Sequence, residues 1–314
     1  KHYESHKKDC SLFMDDLTKL FRDQPETPRD RLVQQWLMRT DNGSDFIDTR
    51  RVMEEFVSQI PNALDAGSSE PSITMKLPAA PNVRKNLRKI LAPTEPKESR
   101  GELHIDPARY IKHTNDVYGL PFLRHDLEKR RLWLGFNDSW DQLAEAPSSR
   151  SEVSQALEHV ENYMDTVDLG KSTEKLQVKM SMYESLLYIL ASPFFCAFMK
   201  DKRIRTGKID RRGPRYLFIH GPSHNGKSTF LSFALKIMTG FYVTPLGRTD
   251  FTKTRVADRI SLVNVFPFVF DDITVSSSGG HEDLLKSYWE TWWHDEYTHY
   301  PQLIMTGNDP KLKD

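Results

Sequence analysis

The sequence predicts an α/β fold: a doubly wound parallel sheet in its C-terminal third, preceded by a largely helical N-terminal region. Three stretches carry that prediction. The apolar run YLFIH (216–220), the glycine-bearing GPSHNGKST (221–229) and the apolar FLSFALKIM (230–238) follow one another without interruption. Downstream, VFPFVF ends in Asp271 and Asp272, and LIMT ends in Gly307 and Asn308. Short apolar runs of that length, separated by helical patterns, are the signature of buried parallel strands joined by crossovers.

Composition bounds the remainder. At 314 residues the chain is long enough for two or three domains. With 38% hydrophobic and 28% charged residues, 17 Phe and 6 Trp, it is a folded globular chain. Lys and Arg (44) balance Asp and Glu (44), so overall charge does not drive it towards nucleic acid or anionic lipid, and any such binding rests on local patches. Cys10 and Cys196 lack metal-ligand spacing and read as reduced thiols of a cytoplasmic protein. The longest apolar run, SLLYILASPFFCAFM, contains a proline and is too short to span a bilayer, so no membrane partner is expected. No initiator Met or signal peptide opens the chain, and it reads as an excerpt of something longer.

Along the chain, residues 1–65 read as helical: Phe13, Leu17, Leu20 and Phe21 share one face, as do Met53, Phe56, Val57 and Ile60. Residues 66–100, rich in Pro, Ser, Ala and charge, read as a linker or mobile loop, and the basic RKNLRK within it as a solvated helix face. Residues 101–200 read as a mixed, mostly helical domain. It contains one helix with Val153, Leu157, Val160 and Met164 on a side, and a second, capped at Ser172 or Thr173, with Leu176, Met180, Tyr183 and Leu187. Ser192-Pro193 opens a further short helix. Residues 201–314 hold the chemistry, in a core expected to be incomplete at its C-terminal end. No fixed-period repeat is present, which argues against a solenoid.

The spacing of GPSHNGKST is that of a phosphate-binding loop set between strand and helix. Gly221 and Gly226 free the backbone of Pro222, Ser223, His224 and Asn225 to curl, so that N–H groups and the helix N-terminus face phosphate oxygens. Lys227 is positioned for the β- and γ-phosphates; Ser228, followed by Thr229, for Mg²⁺. Asp271 is the expected second Mg²⁺ partner, through water, on a strand tip beside the loop, and Asp272 the group that polarises the attacking water. Asn308, on a third strand tip, is suited to hydrogen-bond both the γ-phosphate and that water. The cofactors expected are ATP and Mg²⁺. His281, His294 and His299 lack ligand spacing.

These three motifs in this order resemble AAA+-type ATPases, and the GPxxNGKS loop with its acidic pair resembles the superfamily-three helicases of viruses and mobile elements, including the D5-type primase-associated group. The likeness spans about residues 210–310. It implies an AAA+-like P-loop fold, an oligomer (a hexamer by resemblance), coupling to DNA or RNA, and an arginine finger beyond the sensor strand. It also implies a basic, DNA-gripping hairpin between the acidic pair and the sensor. The chain instead carries TVSSSGG followed by a helical pattern of Leu285, Tyr288, Trp289, Trp292 and Trp293, with one Lys against five acidic residues over 274–302. That stripe reads as core or subunit interface ahead of base stacking. Two basic stretches flank the site: 200–215, with eight Lys or Arg against two Asp, and Arg248, Lys253, Arg255 and Arg259. Each reads as solvated surface or as contacts to a nucleic-acid backbone or a neighbouring subunit's nucleotide. A signalling or scaffold NTPase controlling an effector, for instance in defence against mobile elements, is the second reading, and a small-molecule kinase the third.

Overall fold

A computed structural model describes residues 49–66, 70–126, 130–143, 148–199, 216–274, 284–285 and 301–308. The expected helix around Phe13 to Phe21, Cys10, the basic run 200–215, the tryptophans of 289–293 and the three histidines lie outside the described residues.

Helix α1 (Thr49–Asp65) opens the described chain. Its apolar stripe is fully buried: Met53, Phe56, Val57 and Ile60 each show 0% exposure, as their spacing requires. It packs on a small antiparallel sheet of order β1-β3-β2, formed by β1 (Ile73–Lys76), β2 (Lys97–Ser99) and β3 (Glu102–Ile105). Helix α2 (Pro81–Leu91) starts on its proline and buries Leu87 and Leu91. The described part of the segment 66–100, expected as a linker or mobile loop, is therefore folded. Its strands are three or four residues long, and a single RKNLRK helix turns Leu87 inward while Arg88 meets Glu98 at 2.7 Å on the outside. A two-residue turn with Arg100 and Gly101 both at positive φ joins β2 to β3, the geometry that matches strand twist.

Helix α3 (Pro107–Tyr118) is capped by Asp106, whose carboxylate accepts from the Ala108 and Arg109 N–H groups, and it ends on Gly119 at φ 63. A second antiparallel sheet, β4 (Phe122–Asp126), β5 (Arg131–Phe136) and β6 (Ser139–Leu143), follows in meander order. Asn137 and Asp138, both left-handed, make the tight β5–β6 turn. The strands of residues 101–143 and the helices that follow make the 101–200 region mixed and mostly helical among its described residues, as expected.

Helix α4 (Arg150–Asp165) begins with a capping box between Ser149 and Glu152. Helix α5 (Lys175–Ala191) has Glu174 at its N-cap, with Ser172 accepting the Glu174 N–H rather than capping the helix. Of the α4 stripe only Met164 is buried; Val153 and Leu157 are exposed, as are Leu176, Met180, Tyr183 and Leu187 on α5. The helical stretch Lys175–Met199 is, by length and composition, long and apolar enough to cross a membrane, which the shorter run counted in the sequence had not suggested. A 3₁₀ turn at Ser192–Phe194 interrupts it, and α5 packs on the helix that follows the phosphate loop.

The third sheet is parallel: β7 (Tyr216–His220), β9 (Leu303–Gly307) and β8 (Phe268–Phe270), in the order β7-β9-β8. Leu246 extends it beyond β8 through a parallel bridge to Phe270. Among the described residues this three-stranded sheet is the parallel part, and the other two sheets are antiparallel, so the chain is α/β without the full doubly wound sheet being shown. The acidic strand tip expected beside the loop is that of β8, which β9 separates from β7. And β7 is an edge strand of the described sheet, with Tyr216 and His220 exposed, whereas β9 is buried along its whole length.

The segment linking helix α7 (Lys253–Ile260) to β8 joins the cores. Leu262 and Val263 are buried with Phe56, Tyr110 and Phe122, and the Tyr110 hydroxyl donates to the Leu262 carbonyl at 2.6 Å. Asn264 accepts from the Leu123 and Phe266 N–H groups and donates to the Pro121 carbonyl. Each bond meets a backbone group that burial would otherwise leave without a partner.

Candidate nucleotide-binding site

The loop 221–226 runs from the C-terminal end of β7 into helix α6 (Lys227–Thr239). Helix α6 holds its place by burying Phe230, Leu231, Ala234 and Leu235, and it ends at Gly240, left-handed at φ 76. Tyr163 of α4 stacks on Phe233 of α6 at 3.8 Å, so the preceding helices brace the loop's helix directly. Pro222, Ser223, His224, Asn225, Gly226, Ser228 and Thr229 are exposed, with their backbone accessible to an anion. Two residues of the loop are left-handed, His224 at φ 63 and Gly226 at φ 75. Gly221 is not, and a Cβ there would meet only the Lys227 side chain at 3.8 Å. The curl expected from Gly221 is thus supplied by His224.

Lys227, the first residue of α6, turns its ammonium back over the loop. Its Nζ donates to the carbonyls of Gly221 (2.9 Å) and Pro222 (2.8 Å) and to Asn308 Oδ1 (2.6 Å). Asn308 in turn donates through Nδ2 to Ser223 Oγ (3.1 Å) and Asp272 Oδ1 (3.2 Å). The amide thus presents its oxygen to a cation and its N–H groups to acceptors, the arrangement its two ends require. One side chain ties the loop, its lysine and the acidic pair together, so the structure brings Lys227, Asp272 and Asn308 into one network.

Asp271 faces elsewhere. Its Oδ1 accepts from Thr306 Oγ1 at 2.5 Å, and the same hydroxyl accepts the Asp272 N–H at 2.9 Å. Thr306, fully buried on β9, is absent from the residues picked out by sequence; its place two residues before Asn308 on an apolar strand was the available signal. Asp272 is left-handed at φ 56. The turn it begins lies so close over β9 that a Cβ on Gly307 would approach the Ile273 carbonyl to 2.7 Å. Gly307 is therefore required by close approach.

For Mg²⁺ the donor chemistry fits. Ser228 offers an exposed hydroxyl at the start of α6, and Asp271 keeps its second carboxylate oxygen beyond the Thr306 contact, both hard oxygen ligands. No cluster of three or more His, Cys, Asp or Glu side chains forms among the described residues.

The basic residues of α7 and of the 3₁₀ turn before it, Arg248–Asp250, divide. Arg248, Lys253 and Arg255 are exposed, and Arg255 pairs with Asp250. Arg259 is buried at 2% exposure, lying over the Tyr118 and Phe270 rings, and burial lowers its guanidinium to about 10. It is part of the core rather than of a basic surface.

A strand–loop–helix phosphate cradle whose lysine meets a polar strand tip, itself bonded to an acidic strand tip, defines a P-loop NTPase. Residues 137–311 match the family described as the Aq_aa27 P-loop NTPase domain, and, with more than half of the chain covered, the protein belongs to that family. Nucleotide binding and NTP hydrolysis are the chemistry of that class. The matched stretch begins at Asn137 and takes in α4 and α5, well before the boundary at 201 expected from sequence. No curated protein and no solved structure matches the chain.

Proposed function

We propose that the protein is a Mg²⁺-dependent ATPase of the superfamily-three helicase-like, AAA+ type, working as an oligomer and coupling hydrolysis to translocation on or remodelling of DNA or RNA. The observation that carries the hydrolytic part is Asn308, hydrogen-bonded at once to Lys227, Ser223 and Asp272. The position of β9 between β7 and β8 supports it, because it delivers Asn308 between the loop and the acidic pair.

In this reading the backbone of 222–226 and the N-terminus of α6 hold the phosphates. Lys227 exchanges its carbonyl and Asn308 partners for β- and γ-phosphate oxygens. Ser228 and Asp271 hold Mg²⁺, which supplies neutralisation of the triphosphate charge when bound. Asp272 accepts the proton side of the attacking water, and Asn308 fixes that water against the γ-phosphate. The reading places the chain in the cytoplasm and off the membrane, supported by the 3₁₀ interruption at Ser192–Phe194 and the packing of α5 on α6.

The test is ATP hydrolysis with and without single- and double-stranded DNA and RNA. Stimulation by one of them, abolished in Lys227→Ala and by EDTA, is expected; a rate indifferent to every nucleic acid would sink the motor while leaving the ATPase. One observation favours the second reading, an NTPase that assembles on nucleotide binding to control an effector. With Arg259 buried and Arg255 paired, α7 offers less basic surface than its sequence suggests. Sizing with and without ATP addresses it: a species monomeric under all nucleotides contradicts both readings.

A further inference from the structure

We propose that Thr306 is a positioning residue that sets both members of the acidic pair, a role that rests on the ATPase reading above. Its hydroxyl is used twice. It donates to Asp271 Oδ1, fixing the rotation of the carboxylate, and it accepts the Asp272 N–H. The Thr306 carbonyl accepts the Ile273 N–H at 2.8 Å, so three consecutive residues of the acidic turn are held by one residue of β9.

The clamp holds Asp272 at φ 56, a conformation non-glycine residues rarely take. The clamp also sets where the Asp272 carboxylate lies, within 3.2 Å of Asn308 Nδ2. Threonine suits the task because its β-branched side chain has little χ1 freedom on a strand, so the hydroxyl is pre-aimed. The position is fully buried near the C-terminal end of the middle strand, which shields both bonds from competing water.

A purely packing role makes a different prediction. Valine has the shape of threonine without the hydroxyl, so Thr306→Val leaves the strand and the Ile273 backbone bond in place and removes the two hydroxyl bonds to Asp271 and Asp272. Serine keeps the hydroxyl and loses the methyl. In the full chain, Thr306→Val is expected to bind a fluorescent ATP analogue in EDTA as the wild type does. Its kcat, and the Mn²⁺ affinity of its nucleotide complex read by electron paramagnetic resonance, are expected to fall about 10–100-fold, the usual effect of removing a group that orients a metal ligand. Thr306→Ser is expected to restore both.

A Thr306→Val protein that holds Mn²⁺ and hydrolyses ATP like the wild type overturns the proposal, as does a Thr306→Ser protein impaired to the same degree as the valine variant. Should the valine variant fail to fold, amide hydrogen exchange of the wild type decides. Protection of the Asp272 amide, which bonds the Thr306 hydroxyl, at the level of the β9 core supports the clamp, and exchange at the rate of an open loop refutes it. A wild-type chain that hydrolyses no NTP fails the ATPase reading instead, and the exchange measurement still judges the clamp.

Discussion

Replacing Asn308 by alanine and by aspartate should separate binding from hydrolysis. In Asn308→Ala, Lys227 loses its 2.6 Å partner but keeps the Gly221 and Pro222 carbonyls, and Asp272 loses its 3.2 Å donor. A bond to a charged group contributes about 1.5–3 kcal/mol. Lys227 must give that bond up to reach a phosphate, so ATP affinity should hold or tighten. Hydrolysis should not survive: loss of one preorganised donor at the reacting centre lowers kcat by about 10²–10³, or about 2.7–4 kcal/mol. Asn308→Asp keeps the shape but places a carboxylate against Lys227 and beside Asp272. It should hold the lysine, repel the triphosphate and weaken ATP binding at least tenfold, about 1.4 kcal/mol. Titration with a fluorescent ATP analogue gives the affinities, and phosphate release gives kcat. An alanine variant turning over at close to the wild-type rate, or an aspartate variant binding ATP as tightly as the alanine one, would refute the reasoning.

Three further outcomes follow from the packing. Asn264→Ala strips partners from three buried backbone groups, at Leu123, Phe266 and Pro121, and should lower stability by about 2–4 kcal/mol, seen as a drop in the urea midpoint; an unmoved midpoint would contradict the network. Arg259→Met removes a buried cation whose Nε and Nη1 have no acceptor and whose Nη2 lies 3.7 Å from Asp250, a carboxylate that keeps Arg255, and should leave the melting temperature equal or raised. Because the folded guanidinium lies at about 10, below its ordinary value, the wild type regains stability as pH rises above that point, so the methionine variant's advantage should shrink there. Gly307→Ala forces a Cβ to 2.7 Å from the rigid Ile273 carbonyl and 3.0 Å from the Phe218 ring; a loss of about 1–3 kcal/mol in thermal unfolding is expected, with kcat falling while ATP binding persists.

The nucleotide loop was legible because its chemistry is local: strand, glycine-lysine-serine and apolar helix adjoin, and Gly240 stops the helix where its pattern ends. Asp271, Asp272 and Asn308 could be found as polar residues ending apolar strands. Their order in the sheet could not, since a parallel pairing between Phe218 and Met305 leaves no trace in either run. Thr306 escaped because a threonine inside a strand reads as an ordinary β-former. The 66–100 segment was misread because ITMK is too short to show alternation and pairs with residues about thirty positions away. The β5–β6 hairpin was recoverable: Asn137-Asp138 between GF and SW is a two-residue turn signal. Arg259 shows the opposite failure, a basic residue assigned to the surface that the Tyr118 and Phe270 rings hold inside.

The contact of Leu262–Asn264 with the first half of the chain bears on where this protein can be cut. The family match starts at Asn137, yet Leu120, Leu123 and Leu134 lie in the same core as Phe230 and Phe268, and Leu262 and Val263 insert among Phe56, Tyr110 and Phe122. A fragment begun at the family boundary would expose both surfaces and leave the buried Asn264 amide without its Leu123 and Pro121 partners. A piece that keeps both cores whole therefore reaches back at least to α1, and the family match and the packed cores of this protein have different edges.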